Sequence, residues 1–339
     1  MYNHNPPLAP PASTSLLTDN HGRTINYLRM AIIDRCNLRC RYCMSEEGIS
    51  FVAHEQILKY EEIERLIRIF TELGITKLRI TGGEPFVRRG VLPFIAQITE
   101  IQGLDEVHIT TNGVDVAPHI ESLKSFGIKG INLSLDTLDR QRFWRITGRD
   151  YFEKTLQTLH RILNYQIPLK INAVVLDDTS DEEILRLADL TKTHPISVRF
   201  IEKMPFSGDK NCEKSSLQPL RIRLQNLFTG LQPITVPSPS TALLYRLPDY
   251  EGTIGIIEGN SRSFCSTCNK IRVTPLGILK TCLYDGGVLD LKMLLRSGAG
   301  AVEIKQAILD CLQKRYANGH KAEVSTRQPY QPSMAKIGG

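Results

Sequence analysis

Between about residues 27 and 205 the chain alternates short apolar, β-branched runs with longer segments of helical periodicity, and no other feature narrows its fold so far. The runs predict strands over Tyr27 to Ile33, Leu78 to Thr81, Val107 to Thr111, Ile131 to Leu135, Leu169 to Val175 and Val198 to Ile201. Between them, Ile63, Leu66, Ile67 and Phe70 share one helical face, as do Ile184, Leu187 and Leu190. Six strand-then-helix units imply a parallel sheet, and right-handed crossovers let it curl into an open barrel. A flat doubly wound sheet is the alternative, but the first strand-to-helix loop lacks the glycine fingerprint of a dinucleotide site. The expected class is α/β, a partial (β/α)6 barrel with its strand C-termini at one mouth.

Directly after the first predicted strand come Cys36, Cys40 and Cys43, at Cys-x3-Cys-x2-Cys spacing. Thiolates are the soft donors that iron–sulfur clusters use, and three of them on a four-iron cube leave one iron open to a small molecule. Zinc would want a fourth Cys or His, and the next candidate, His54, is too distant for a short ligand spacing. A second set, Cys265, Cys268 and Cys282, has the same three-thiol character and points to a second cube, with structural zinc plus a distant His as the alternative. Cys212 and Cys311 belong to neither set and read as ordinary thiols.

With 339 residues, 41% of them hydrophobic, the chain can bury a large core, and clustered thiols fit a reducing compartment, so a cytoplasmic protein is expected. Apolar runs are too short for a membrane span, and the net charge of +6 is spread rather than gathered into a nucleic-acid-binding face. The texture divides the chain into a disordered leader over 1–20, a barrel over 21–240 and a C-terminal region over 241–339. A helix is expected near Leu220 to Phe228, a short irregular one from about Val302 to Tyr316, and a mobile tail ending in KIGG.

Arg29, Arg79, Lys170 and Arg199 lie on or beside predicted strands, and Lys270 and Arg272 follow Cys268. Cations converging on one mouth suit a polyphosphate, with salt bridges to Glu84, Asp136 or Glu202 as the plainer alternative. The TGGEP turn, Thr81 to Pro85, lets backbone approach a ligand closely.

The segments LRMAIIDRCNLRCRYCM, RITGGEP, ITTNG, INLSLD, VRFIEKM, FCSTCNKIRVTPLGILKTCL and the final IGG resemble the radical S-adenosylmethionine superfamily, and within it the GTP-cyclising family of molybdenum cofactor biosynthesis. The likeness runs from Arg23 to the last residue and is poor from Phe206 to Ile254. It implies a TIM-like partial barrel with a C-terminal extension that carries a second iron–sulfur cluster. Both cofactor clusters would be of the 4Fe-4S type: Cys36, Cys40 and Cys43 would hold the one that chelates S-adenosylmethionine, and Cys265, Cys268 and Cys282 the other. Tyr42, Gly83, Ser134 and Met204 would hold S-adenosylmethionine, the loop of Gly82, Gly83 and Glu84 meeting its amino group. Arg29, Arg79, Thr110, Lys170, Arg199, Lys270 and Arg272 would bind GTP, Arg272 also serving catalysis, although the family commonly has Arg at the position of Lys270.

The same resemblance implies a lyase in which a 5′-deoxyadenosyl radical takes the C3′ hydrogen of GTP and the product is 3′,8-cyclo-7,8-dihydroguanosine triphosphate. An external one-electron donor and a downstream cyclic pyranopterin monophosphate synthase would be its partners, possible homodimerisation aside, with no nucleic acid or membrane. Gly338 and Gly339 would enter the barrel mouth and meet a cation.

Overall fold

The computed structural model describes residues 17–44, 51–204, 218–236, 239–259, 261–326 and 333–338. Most of the expected leader, Cys212 and Gly339 lie outside them.

The six expected strands form as β1 (Tyr27–Ala31), β2 (Lys77–Thr81), β3 (Glu106–Thr111), β4 (Gly130–Ser134), β5 (Leu169–Val175) and β6 (Ser197–Glu202). They pair side by side in chain order, each parallel to the next. The crossovers carry α1 (Tyr60–Glu72), α2 (Val91–Thr99), α3 (Ile120–Ser125), α4 (Arg140–Thr147), α5 (Phe152–Asn164) and α6 (Asp181–Asp189). Ile63, Leu66, Ile67 and Phe70 of α1 are buried, as their spacing predicts. In α6, Ser180 and Glu183 form a reciprocal capping box, and α4 starts on the Asp139 carboxylate and ends on left-handed Gly148 (φ 63°).

The sheet is wider than six strands. After α7 (Leu220–Leu227) come β7 (Gln232–Ile234), β8 (Leu243–Arg246), β9 (Thr253–Ile257), β10 (Lys270–Val273), β11 (Ile278–Lys280) and β12 (Leu289–Asp290). β9 pairs parallel with β6 and β10 pairs parallel with β1, so eight parallel strands run in the order β10-β1-β2-β3-β4-β5-β6-β9, each end closed by an antiparallel hairpin. The expected boundary at residue 240 thus falls in the link between β7 and β8, partners in one sheet. The rest is helical: α8 (Leu291–Arg296), α9 (Ala301–Leu312), α10 (Gly319–Ser325) and α11 (Met334–Ile337). The irregular helix expected to Tyr316 stops at Leu312.

Strand alternation explains the interior. Leu28, Met30, Leu78, Ile80, Ile109, Ile131, Leu133, Ile171, Val198 and Phe200 are buried on the face that packs against the helices. Their neighbours, Arg29, Arg79, Thr110, Asn132, Lys170, Asn172 and Arg199, point the other way and line a cavity of about 700 Å³. Side chains of β9 and of β10 line it too, so the sheet curls around this space. A barrel packed for stability alone would fill its interior with branched apolar residues. This one is lined with cations and amides.

Candidate active site

The first cysteine triad sits in the loop after β1, folded by turns in which Cys43 and Met44 amides donate to the Cys40 carbonyl (2.9 and 3.0 Å). Two amides of the loop, Arg39 and Arg41, donate to the last turn of α4 at Thr147 and Ile146 (2.8 and 3.0 Å). Sulfur contacts are neutral: the Leu38 amide and Asn112 Nδ2 approach Cys36 Sγ at 3.4 and 3.6 Å, and Ser333 Oγ lies 3.9 Å from Cys43 Sγ. Burial, with Glu84 and then Cys43 nearby, pushes the Cys36 thiol up to about 12, and burial, Asp136 and both neighbouring thiols push up Cys40. Three neighbouring thiols in a half-buried loop, each raised by burial, need a multivalent cation to become thiolates together. A four-iron cube fits that requirement and takes one thiolate at each of three irons, so its ligands stand farther apart than donors to one ion. Among the described residues no three His, Cys, Asp or Glu side chains gather as donors to a single metal ion.

The Gly-Gly turn lines the cavity and has a second close contact besides. A Cβ at Gly82 would lie 2.5 Å from the Ile33 carbonyl oxygen, and one at Gly83 2.2 Å from that of Arg35. The turn is therefore pressed against the cysteine loop's own backbone, with Gly83 N–H donating to Ile33 (2.7 Å), while Gly83 also reaches the cavity. Glu84 is buried and turned inward. Its carboxylate accepts from Thr111 Oγ1 (2.8 Å) and from the amides of Asn112 (2.7 Å) and Phe86 (3.1 Å). Burial outweighs these donors and raises its pKa to about 7.

Tyr42, Ser134 and Met204 all line the cavity. Tyr42 donates to Asp136 Oδ2 (2.9 Å), and the other oxygen of Asp136 accepts from the Val174 amide (2.8 Å). Glu84 and Asp136 are thus engaged with these groups, not with the strand cations.

Those cations crowd one another. Arg29 stands beside Arg79 on one side and Arg272 on the other in strand register, and Asn172 beside Arg199. Burial, then Arg199 and Arg79, pull the Lys170 amine down to about 8; burial and Arg79 pull Arg199 to about 10. Such a row is costly unless an anion sits among it. Four buried polar atoms on the same walls, Asn132 Oδ1, Asn172 Oδ1, Ser197 Oγ and Arg199 Nε, have no hydrogen-bond partner among the described residues. They are donors and acceptors aimed at a ligand-sized space.

Sequence reasoning passed over Tyr27, whose ring faces Lys77, Arg79 and Lys270 at 5.4, 5.8 and 5.5 Å. Burial alone would raise its phenol, but Arg79 and Arg29 outweigh it and hold it at about 8. Asn132, Asn172 and Ser197 were also passed over. Their signal was strand alternation with Arg79, Lys170 and Arg199.

The second triad also lines the cavity. Burial, joined by Asp285, Cys268 and Cys265, pushes Cys282 up to about 11. At Cys268 burial is outweighed by Arg315 and Lys270, and the thiol is held below its usual range. The two triads stand at opposite ends of the sheet. Cys268 precedes β10, and the Tyr27 amide donates to the Asn269 carbonyl (3.3 Å), whereas the first triad follows the far end of β1. At about 3.3 Å per residue, five residues of strand separate them by roughly 16 Å. The cations therefore lie between the triads, inside the barrel, rather than at the mouth. From the mouth, where Gly338 sits against Ala31 and Thr81 at the ends of β1 and β2, the Gly338 carbonyl accepts from Arg272 Nη1 of the interior row (2.9 Å), so the tail does meet a cation.

A curled parallel sheet with three cysteines in its first loop is the architecture of a radical S-adenosylmethionine enzyme, and the model of the Radical SAM superfamily matches residues 30–191. The Molybdenum Cofactor Synthesis C model matches residues 196–321. The chain belongs to the GTP 3′,8-cyclase family: it is 40% identical over 327 residues to the GTP 3′,8-cyclase of Alkaliphilus metalliredigens, covering 95% of this chain and 100% of that one. It is also 38% identical over 299 residues to human molybdenum cofactor biosynthesis protein 1, covering 87% of this chain and 47% of that one. Among solved structures, Streptococcus suis SuiB has the same fold, with a TM-score of 0.61 at 14% identity over 93% of this chain and 78% of that one. The family uses S-adenosylmethionine and 4Fe-4S clusters. No helix among the described residues is long and apolar enough to cross a membrane.

Proposed function

We propose that this chain is a lyase converting GTP to 3′,8-cyclo-7,8-dihydroguanosine 5′-triphosphate, the first step of molybdenum cofactor biosynthesis. The observation that carries the reading is the row of buried cations and unpartnered polar atoms between two cysteine triads. Bound at the first triad, a 4Fe-4S cluster and S-adenosylmethionine supply one-electron reduction and a hydrogen-abstracting radical. Cys36, Cys40 and Cys43 would hold the cluster, and Tyr42, Gly83, Ser134 and Met204 the S-adenosylmethionine.

Arg29, Arg79, Lys170, Arg199, Lys270 and Arg272 would neutralise the triphosphate, each guanidinium offering a fork that matches phosphate oxygens. Lys270 supplies a point charge instead. Thr110, which accepts from Arg79 Nη1 (3.4 Å), would fix the ribose end. Cys265, Cys268 and Cys282 would hold a second cluster in the C-terminal part of the sheet, facing the guanine, so that the nucleotide spans the interior with C3′ toward the first triad. Enclosure by the barrel keeps water from quenching a radical. The reading requires an external one-electron donor and a downstream synthase that consumes the cyclised nucleotide.

Anaerobic protein with GTP, S-adenosylmethionine and dithionite should yield the cyclised nucleotide and 5′-deoxyadenosine in about equal amounts, followed by mass spectrometry. Cleavage of S-adenosylmethionine with no GTP-derived product would reject GTP as the substrate.

A further inference from the structure

The second triad is held by a buried charge network that reaches a sulfur, whereas at the first triad the Arg39 guanidinium donates only to backbone carbonyls, those of Cys36 (2.7 Å) and Leu38 (2.8 Å). Asp19, with its side chain fully buried, accepts from Arg23 Nε (2.7 Å) and from Arg315 Nη1 (2.9 Å). Arg23 Nη1 then donates to the Cys265 carbonyl (2.9 Å). Arg315 does more. Its Nη1 donates to the Cys268 carbonyl (3.0 Å), its Nε to the carbonyl of Thr281, the residue before Cys282 (2.9 Å), and its Nη2 to the Lys270 carbonyl (3.0 Å) and to Cys268 Sγ (3.3 Å). One guanidinium therefore touches the backbone around two of the three cysteines and the sulfur of one. The segment near Asp19, the loop of Cys265 and Cys268, and the residues after α9 are brought together by this single side chain.

The contrast with the first triad is electrostatic. Among the described residues, the donors to those sulfurs include the Leu38 amide, the Asn112 amide group, the Ser333 hydroxyl, the Tyr42 hydroxyl and the amides of Met334 and Ala335, all neutral. Reducing an iron–sulfur cluster adds negative charge to it, and hydrogen bonds to its sulfurs set its potential. A charged donor stabilises the more negative, reduced state more than a neutral donor does.

We propose that Arg315, anchored by Asp19, is a positioning residue for the second triad: it fixes the Cys268 sulfur and raises the reduction potential of the cluster held there above that of the first. The proposal rests on the reading of the second triad as a cluster site. The anchoring matters because a buried guanidinium without its carboxylate would be displaced toward solvent.

The test is an anaerobic redox titration of the holoenzyme followed by paramagnetic resonance, together with iron content, for the parent, Arg315→Gln and Arg315→Lys. Glutamine keeps amide donors without charge, and lysine keeps the charge without the fork. We expect about eight irons per chain in the parent and two signals, the one at higher potential moving to more negative values in Arg315→Gln and less far in Arg315→Lys, while the other stays in place. Loss of the higher-potential signal in Arg315→Gln, with Arg315→Lys retaining a shifted one, supports the same assignment. Unchanged potentials with both clusters present would overturn it. Loss of four irons in both variants would also overturn it, making Arg315 a residue of assembly rather than of tuning. About four irons in the parent would instead remove the second cluster itself, a distinct outcome.

Discussion

Gly338→Ala adds one methyl group where the structure has no room for it. The residue sits at φ 89°, in the left-handed region, where a side chain costs about 1–2 kcal/mol. A Cβ there would lie 2.7 Å from Ala31 Cβ and 2.9 Å from Thr81 Cγ2, well inside the roughly 3.5–4.0 Å of carbon contact. Ala31 and Thr81 are fixed in β1 and β2 and cannot yield. The tail must shift instead, and the Gly338 carbonyl then leaves Arg272. A hydrogen bond to a charged group contributes about 1.5–3 kcal/mol, and losing it at Arg272, in its proposed role of holding GTP, corresponds to roughly a ten- to hundredfold drop in rate. The assay is anaerobic kcat/KM for cyclised nucleotide, with S-adenosylmethionine cleavage and iron content measured in parallel. We expect product formation to fall while cleavage and iron are kept. A kcat/KM within twofold of the parent would refute the claim that the seating of Gly338 orients Arg272, and loss of iron would show that the tail acts through folding.

Three further outcomes are expected. Asn172→Ala removes a buried oxygen that has no partner among the described residues, so the melting temperature should hold or rise while GTP affinity weakens by about fivefold to thirtyfold, for a loss of roughly 1–2 kcal/mol; a lower melting temperature with unchanged GTP affinity would contradict this. Lys170, depressed to about 8 in the folded protein, must be protonated to meet phosphate, so calorimetric GTP affinity should be flat near pH 7 and fall as pH rises above about 8. The folded amine being depressed, its protonation opposes folding below about 8, and this cost is relieved as pH rises toward the unfolded value. Lys170→Arg should abolish the alkaline loss of affinity, and its persistence would assign it to another group. Replacing Cys36, Cys40 and Cys43 together by Ala should abolish 5′-deoxyadenosine formation with or without GTP, and any retained formation would remove the triad from that role.

The six central strands were legible because each carries a β-branched run bounded by turn residues, and α1 because four apolar residues fall on one face. β9 and β10 were not. β9 comes after a Pro- and Ser-rich stretch and β10 directly after a cysteine loop, outside the strand-helix alternation, and both owe their place to β6 and β1, partners far away in the sequence. Cations on strands could be found by eye, yet their depth could not: strand residues of one parity share a face, and only the curl of the sheet turns that face into an interior. That Gly82 and Gly83 also press on the backbone of the cysteine loop could not be read from the TGGEP turn, because the contact joins segments about fifty residues apart. Arg315 carried no signal at all. It lies just past the end of α9 in a segment that reads as continuing helix, and only long-range contacts turn it toward Cys268.

The pairing of β1 with β10 has a consequence for how the chain comes to be folded. Tyr27 meets Lys270, so a strand made near the start of synthesis waits for one made near its end. At about 5–20 residues per second that interval is on the order of ten seconds or longer. Throughout it, β1 has an unpaired edge, and unpaired strand edges template aggregation. Because such distant pairings also slow folding, a chain truncated before β10 should accumulate as insoluble material even though every cysteine of the first triad is present.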